Sequence, residues 1–256
     1  MTTKVSWPQP LGWRVWGFGI ALIGATNLAL GDFDPLQGVP SHLPARWLIV
    51  WLANGFLVLS GAAMQWARTA RAAALAIALY YGLAVTVLMN GPRTVANIAI
   101  YGAWFGVVTP LALTAAGTIL AVHSATEVRW TRVAQMLFAL CALFYGGAHF
   151  VYLSLTVPLV PAWLPPSRLF WAYATGAAHL LAGIAILTGV RARLAAILLT
   201  IMYGSFTFLV HLPLIIGDPY NAYHWTENAM NVALTGVAWV LADSLGPLWR
   251  EARGAP

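Results

Sequence analysis

The second half of the chain places five ionisable side chains within or at the ends of apolar runs: His149, His179, His211, His224 and Glu227. Ionisable groups at membrane depth are expensive. A centred Asp, Lys or Arg costs about 2.5–3.5 kcal/mol on insertion scales, and a neutral His less, so such residues are functional candidates by default. Two chemistries fit these residue types. Imidazoles with a carboxylate suit a transition metal such as Zn, Fe, Cu or Ni, and three such ligands with an open position make a catalytic site. The candidate ligands are His149, His211, His224 and Glu227. Alternatively, His179 and Glu227 exchange protons with the head group of a lipid-soluble redox molecule such as a quinone. Tyr152, Tyr203, Tyr223 and Asn228 would then line the head group. A third reading gives the same groups only interhelical hydrogen bonds.

The spacing of His224 and Glu227 puts both on one side of a helix, and Asn228 and Asn231 continue that polar face. His179 lies about ten residues into its run, roughly 15 Å deep. The chain has no HExxH, nucleophile elbow, Gly-rich phosphate loop, haem motif or iron–sulfur motif. A soluble electron-transfer partner is therefore expected in the redox reading. The single cysteine, Cys141, excludes a dithiol mechanism within the chain.

The elements that carry these residues are membrane spans. Of 256 residues, 61% are hydrophobic and 8% charged, against roughly 25% charged in soluble domains. Mean hydropathy is +0.77. A span needs about 20 apolar residues. Eight runs qualify: Leu11–Leu30, Trp47–Trp66, Ala72–Met89, Ile98–Val122, Val133–Leu153, Leu169–Thr188, Leu194–Ile216 and Trp225–Leu241. The stretches Gly31–Arg46, Asn90–Asn97, Ser154–Arg168 and Gly217–His224 read as loops or turns. The first ten residues hold no short apolar core with a cleavage site, so no signal peptide is expected.

The net charge of +6 would suggest nucleic acid in a soluble protein. Here the arginines flank apolar runs, so the partner is the lipid bilayer. Arg14, Arg68, Arg71, Arg129, Arg132, Arg191 and Arg193, with Lys4, Arg250 and Arg253, fall on one side of the membrane. Arg46, Arg93 and Arg168 fall on the other. The positive-inside rule then puts both termini in the cytoplasm.

The halves repeat at an offset of 122. The run from Gly61 matches that from Gly183, and VPSHLP at Val39–Pro44 matches VPAWLP at Val160–Pro165. The expected fold is all-α: a polytopic membrane protein of eight transmembrane helices in two parallel four-helix repeats. Residues 1–122 form a structural repeat, 123–132 a cytoplasmic linker and 133–256 the repeat with the site. At this offset His179 faces Leu57, His211 Met89, His224 Gly102 and Glu227 Phe105, while His149 faces Asn27 or Leu28. The first repeat lacks the ionisable set, so packing alone does not demand it.

The residues Gly176, Leu180, Gly183, Leu187, Gly189, Arg193, Ala195 and Ala196 spell G-x-x-x-L-x-x-G-x-x-x-L-x-G-x-x-x-R-x-A-A. They follow a Pro-rich loop, and Gly55, Leu59, Gly61, Arg71, Ala73 and Ala74 echo them. This pattern resembles DoxX-like membrane proteins, and nearly the whole chain looks like two fused units of that kind. The resemblance implies a four-helix membrane bundle. Some members belong to quinone-linked sulfur oxidation, as in thiosulfate–quinone oxidoreductase. Members often carry a Glu in the helix where this chain has His179.

Overall fold

The computed structural model describes residues 11–34, 37, 39–41, 43–122 and 128–246. Among them there is no strand, and eight long helices run back and forth. They are α1 (Gly12–Leu30), α2 (Arg46–Ala63), α3 (Ala67–Ala96), α4 (Tyr101–Ala121), α5 (Val128–Val151), α6 (Arg168–Thr188), α7 (Ala192–Gly217) and α8 (Ala222–Ser244). The ends of the expected repeats and the linker, residues 1–10, 123–127 and 247–256, lie outside the described residues.

Six of these helices, α2 to α7, are long and apolar enough to cross a membrane. The expectation of eight such spans is corrected on this measure. The α1 and α8 helices are long enough but fall short on apolarity. About half the residues of each are buried, whereas α7 buries only 17% of its most apolar stretch. A helix surrounded by protein can carry glycines, Asn and Glu that a lipid-facing helix cannot. By contrast α2 and α7 turn Trp47, Trp51, Leu59, Leu198, Ile201 and Phe208 outward, an apolar surface suited to lipid.

Each helix packs beside its chain neighbours, α8 closes onto α1, and α4 also touches α8. The α1–α8 seam is a close approach of two backbones. A Cβ at Gly236 would run into the Trp16 backbone, and one at Gly19 into the Ala233 backbone. Small residues let helix backbones meet where lipid offers no hydrophobic drive for association. The same contacts show antiparallel pairing, with Gly12 beside Val240 and Gly19 beside Ala233. One face of the bundle therefore gathers Arg14, Arg68, Arg71, Arg129, Arg132, Arg191 and Arg193. It is called the basic face below.

The α3 and α7 helices each contain a wide π-helical stretch, Tyr80–Asn90 and Thr207–His211, followed by a short α-helical segment. Pro92 and Pro213 sit at the starts of those segments, where a missing N–H is tolerated. The expected turn at Asn90–Asn97 is thus mostly the end of α3. At the face opposite the arginines, Trp104, Trp171 and Trp225 each donate an indole N–H to the carbonyl six residues earlier. These bonds pin the entries of α4, α6 and α8.

The seam supplies a stability test. Gly236→Val should destabilise the protein by about 1–3 kcal/mol through overpacking, read as a lower thermal midpoint in detergent. Gly204→Ala, where the nearest heavy atom to the new Cβ is Thr235 Cγ2 at 3.8 Å, should leave the midpoint nearly unchanged.

Candidate functional site

The α5 and α6 helices pack closely because Gly146, Gly176 and Gly183 leave no side chain between them. That contact brings His149 and His179 together, with ring centroids 5.2 Å apart. Both rings are anchored on α6. His179 Nδ1 donates to the Thr175 carbonyl at 2.8 Å. His149 Nδ1 lies 3.2 Å from the Ala172 carbonyl and 3.2 Å from the Thr175 hydroxyl. The hydroxyl proton goes to Trp171 O at 2.7 Å, so the hydroxyl can accept from His149. A carbonyl acceptor fixes the proton on Nδ1. Each neutral imidazole is left with an Nε2 lone pair, and neither Nε2 makes a hydrogen bond among the described residues.

Two tyrosines flank the pair. The Tyr203 ring of α7 is centred 5.4 Å from His179, and the Tyr145 ring of α5 6.2 Å from it. Tyr145 Oη reaches Thr109 of α4 at 3.2 Å. Tyr203 is buried, and its hydroxyl has no partner among the described residues. An unpaired buried hydroxyl costs about 1–3 kcal/mol. Sequence reading named His149, His179 and Tyr203 but missed Tyr145 and Thr175. Tyr145 lies one turn before His149 on α5, and that spacing was the available signal.

The second cluster lies on α7 and α8. Asn221 caps α8 by accepting from the Tyr223 N–H, so His224 and Glu227 sit in the first turns of a helix rather than in a turn. His211, at the end of the π-helical stretch, stands near enough to His224 for their charges to interact. Glu227 is similarly close to Asp34, and the Tyr223 side chain faces it. His224 Nδ1 and Asn228 Oδ1 are buried without partners among the described residues. Asp34 lies in the stretch Gly31–Arg46 that reads as a loop from the sequence. It is buried because the chain after α1 folds back over the bundle, with Phe33 buried and Tyr80 Oη donating to Gln37 Oε1 at 2.7 Å. Glu227 is also close enough to Tyr145 for charge interaction, which links the two clusters.

Two expectations are corrected. Tyr152 does not join the site: its hydroxyl accepts from the Gly102 N–H at 2.8 Å, tying the end of α5 to the start of α4. The metal set His149, His211, His224 and Glu227 does not assemble either. Among the described residues no group of three or more His, Cys, Asp or Glu is arranged to hold a metal ion. The close α5–α6 contact pairs His149 with His179, while the other three belong to α7 and α8.

Asn231 of α8 supports the site from behind. Its Nδ2 donates to the Tyr203 carbonyl at 2.8 Å and to Thr207 Oγ1 at 2.7 Å. The wide π-helical turns shift the backbone ladder and free carbonyls, which side chains must then satisfy. At the matching place in the first half, Thr86 Oγ1 donates to the Tyr81 carbonyl at 2.7 Å.

A family model described as a domain of unknown function, DUF8561, matches residues 136–242. That stretch runs from within α5 to within α8 and contains every residue of both clusters except Asp34 and Thr109. No curated protein and no solved structure matches the chain.

Asn231→Leu should remove the hydrogen bonds to the Tyr203 carbonyl and to Thr207 Oγ1, leaving the carbonyl only its bonds from Thr207, and lower stability by about 1–3 kcal/mol. Hydrogen–deuterium exchange in detergent should show faster exchange of residues 207–211 than in the unsubstituted protein.

Proposed function

We propose that this is an integral membrane protein whose second half binds a small lipophile with a hydrogen-bonding head group, of the quinone class. The carrying observation is the His149–His179 pair: both rings are held through Nδ1, both Nε2 atoms are unengaged, and the unpartnered Tyr203 hydroxyl lies alongside. A head group with two carbonyl or hydroxyl oxygens would complete these bonds. His179 would exchange a proton with the bound oxygen, and Glu227, with His224 and His211, would connect the pocket to the face opposite the arginines. The protein lies with its basic face in the cytoplasm, following the positive-inside rule. A soluble electron donor or acceptor would complete a redox cycle.

The chain is read as two parallel four-helix units, DoxX-like in pattern. At the offset of 122, both halves place a π-helical stretch with a following Pro in their third helix. Both also bury a tyrosine with an unpartnered hydroxyl there, Tyr81 and Tyr203. Where the second half has His149 against the Ala172 carbonyl, the first has Asn27 bonded to Asn54, and Asn54 to the Val50 carbonyl. Leu57 fills the place of His179. The first half thus closes with amides and an aliphatic side chain what the second leaves able to titrate.

Full-length protein in lipid nanodiscs, titrated with decylubiquinone and followed by tryptophan fluorescence, tests the reading. His179→Leu should weaken binding about tenfold, the scale of one lost hydrogen bond to a buried group, and Tyr203→Phe should weaken it as well. Equal binding by the unsubstituted protein and both variants sinks the quinone site. A second reading, proton movement across the bilayer, draws on the carboxyl of buried Asp34 and the neighbouring, half-buried Glu227. In proteoliposomes it predicts a proton flux that Glu227→Gln abolishes without any chemical turnover.

A further inference from the structure

A groove of about 790 Å³ runs between α3 and α4 on the lipid-facing side of the first half. Its walls are Leu75, Leu79, Gly82 and Leu83 of α3 with Thr118 of α4, and Trp130 of α5 stands at its basic end beside Arg68 and Arg71. The threonine hydroxyl is spent on its own helix, donating to Thr114 O at 2.9 Å, so the walls are apolar in effect. From Arg71 to Leu83 the groove spans roughly 18 Å of helix. That is close to the depth of one leaflet, about half of a 30 Å hydrocarbon core.

The basic end carries charge without a counter-ion among the described residues. Arg68 makes no hydrogen bond or ion pair there. Arg71 uses Nε to cap the α4 carbonyl of Ala121 at 2.8 Å, and its two terminal nitrogens make no further bond among the described residues. The second half handles the corresponding position differently. Taking the halves as repeats, Arg71 corresponds to Arg193 and Ala121 to Asp243, and Arg193 does lie close enough to Asp243 for their charges to interact. The first half keeps the arginine, replaces the carboxylate with a methyl group, and has a groove beside it.

We infer that the α3–α4 groove is a binding site for an anionic phospholipid of the leaflet at the basic face. Arg68 and Arg71 take the head-group phosphate, and one acyl chain lies along Leu75, Leu79 and Leu83. The charge complementarity and the leaflet-deep apolar trough fit this occupant together. A guanidinium pairs two N–H groups with two phosphate oxygens, and Arg71 retains two nitrogens for that geometry after capping Ala121.

The test uses full-length protein in detergent micelles doped with phosphatidylglycerol or phosphatidylcholine of identical acyl chains, with bound lipid counted by native mass spectrometry. The unsubstituted protein should retain phosphatidylglycerol over phosphatidylcholine. Arg68→Gln, which breaks no bond within the described residues, should lower phosphatidylglycerol affinity about five-fold, the scale for one arginine near anionic lipid. Ala121→Asp should lower it comparably by giving Arg71 the carboxylate that Arg193 has. Arg191→Gln, the same charge loss on the same face in the other half, should leave it unchanged. Equal retention of the two lipids, or an equal loss with Arg191→Gln, overturns the site in favour of diffuse attraction to the basic face.

Discussion

The close contact of α1 with α8 is what the rest of the bundle depends on. Gly19 and Gly236 let the two backbones meet, and Trp16 is fully buried between them. In a bilayer, apolar side chains gain little by leaving lipid for protein, so helices hold together through close packing and hydrogen bonds. The seam joins the first helix to the last and closes the chain of neighbouring contacts. It also covers about half of α8 with protein, which lets that helix carry His224, Glu227, Asn228 and Asn231. A polar helix and a small-residue seam are thus two sides of one arrangement.

The polar interior follows a second constraint: inside a membrane, every backbone group must find a partner within the protein. The π-helical stretches of α3 and α7 loosen the regular ladder, and Thr86, Asn90 and Asn231 return hydrogen bonds to the carbonyls of Tyr81, Val85 and Tyr203. The buried atoms without a partner among the described residues are on side chains in both halves: Trp16 Nε1, Asn27 Oδ1, Gln37 Nε2 and Tyr81 Oη in the first, Tyr203 Oη, His224 Nδ1 and Asn228 Oδ1 in the second. The backbone is cared for and the side chains are left open, as in a pocket that meets a polar guest. The halves divide this work. In the first, Asn27 donates to Asn54, Asn54 donates to the Val50 carbonyl, and Leu57 fills the core. In the second, His149 and His179 stand in those places.

Much of this was legible from residue order. Composition and run length place the helices, because a membrane span is specified by about 20 apolar residues in a row. The offset of 122 set His149, His179, His211, His224 and Glu227 apart from the first half as a group, without saying which of them would meet. The metal set was misjudged because ligand convergence depends on helix rotation, and the spacings from His149 to His211 and from His211 to His224 do not encode it. Asp34 was passed over because a loop carboxylate reads as solvated until the loop is seen folded over the bundle. Tyr152 reads from the sequence as lining the head group, whereas its hydroxyl clips α5 to Gly102.

By itself the sequence determined that the chain is helical and built for lipid, where its charges gather, and which half carries titratable groups. These are one-dimensional properties, set by local hydropathy and charge. Only the tertiary structure decided that α1 closes onto α8, that His149 pairs with His179, that Asp34 is buried in the neighbourhood of Glu227, and that Arg71 lacks the carboxylate that Arg193 has. Each of these depends on which faces of distant helices meet. That is fixed by where glycines let backbones approach, a three-dimensional fit that no single segment contains.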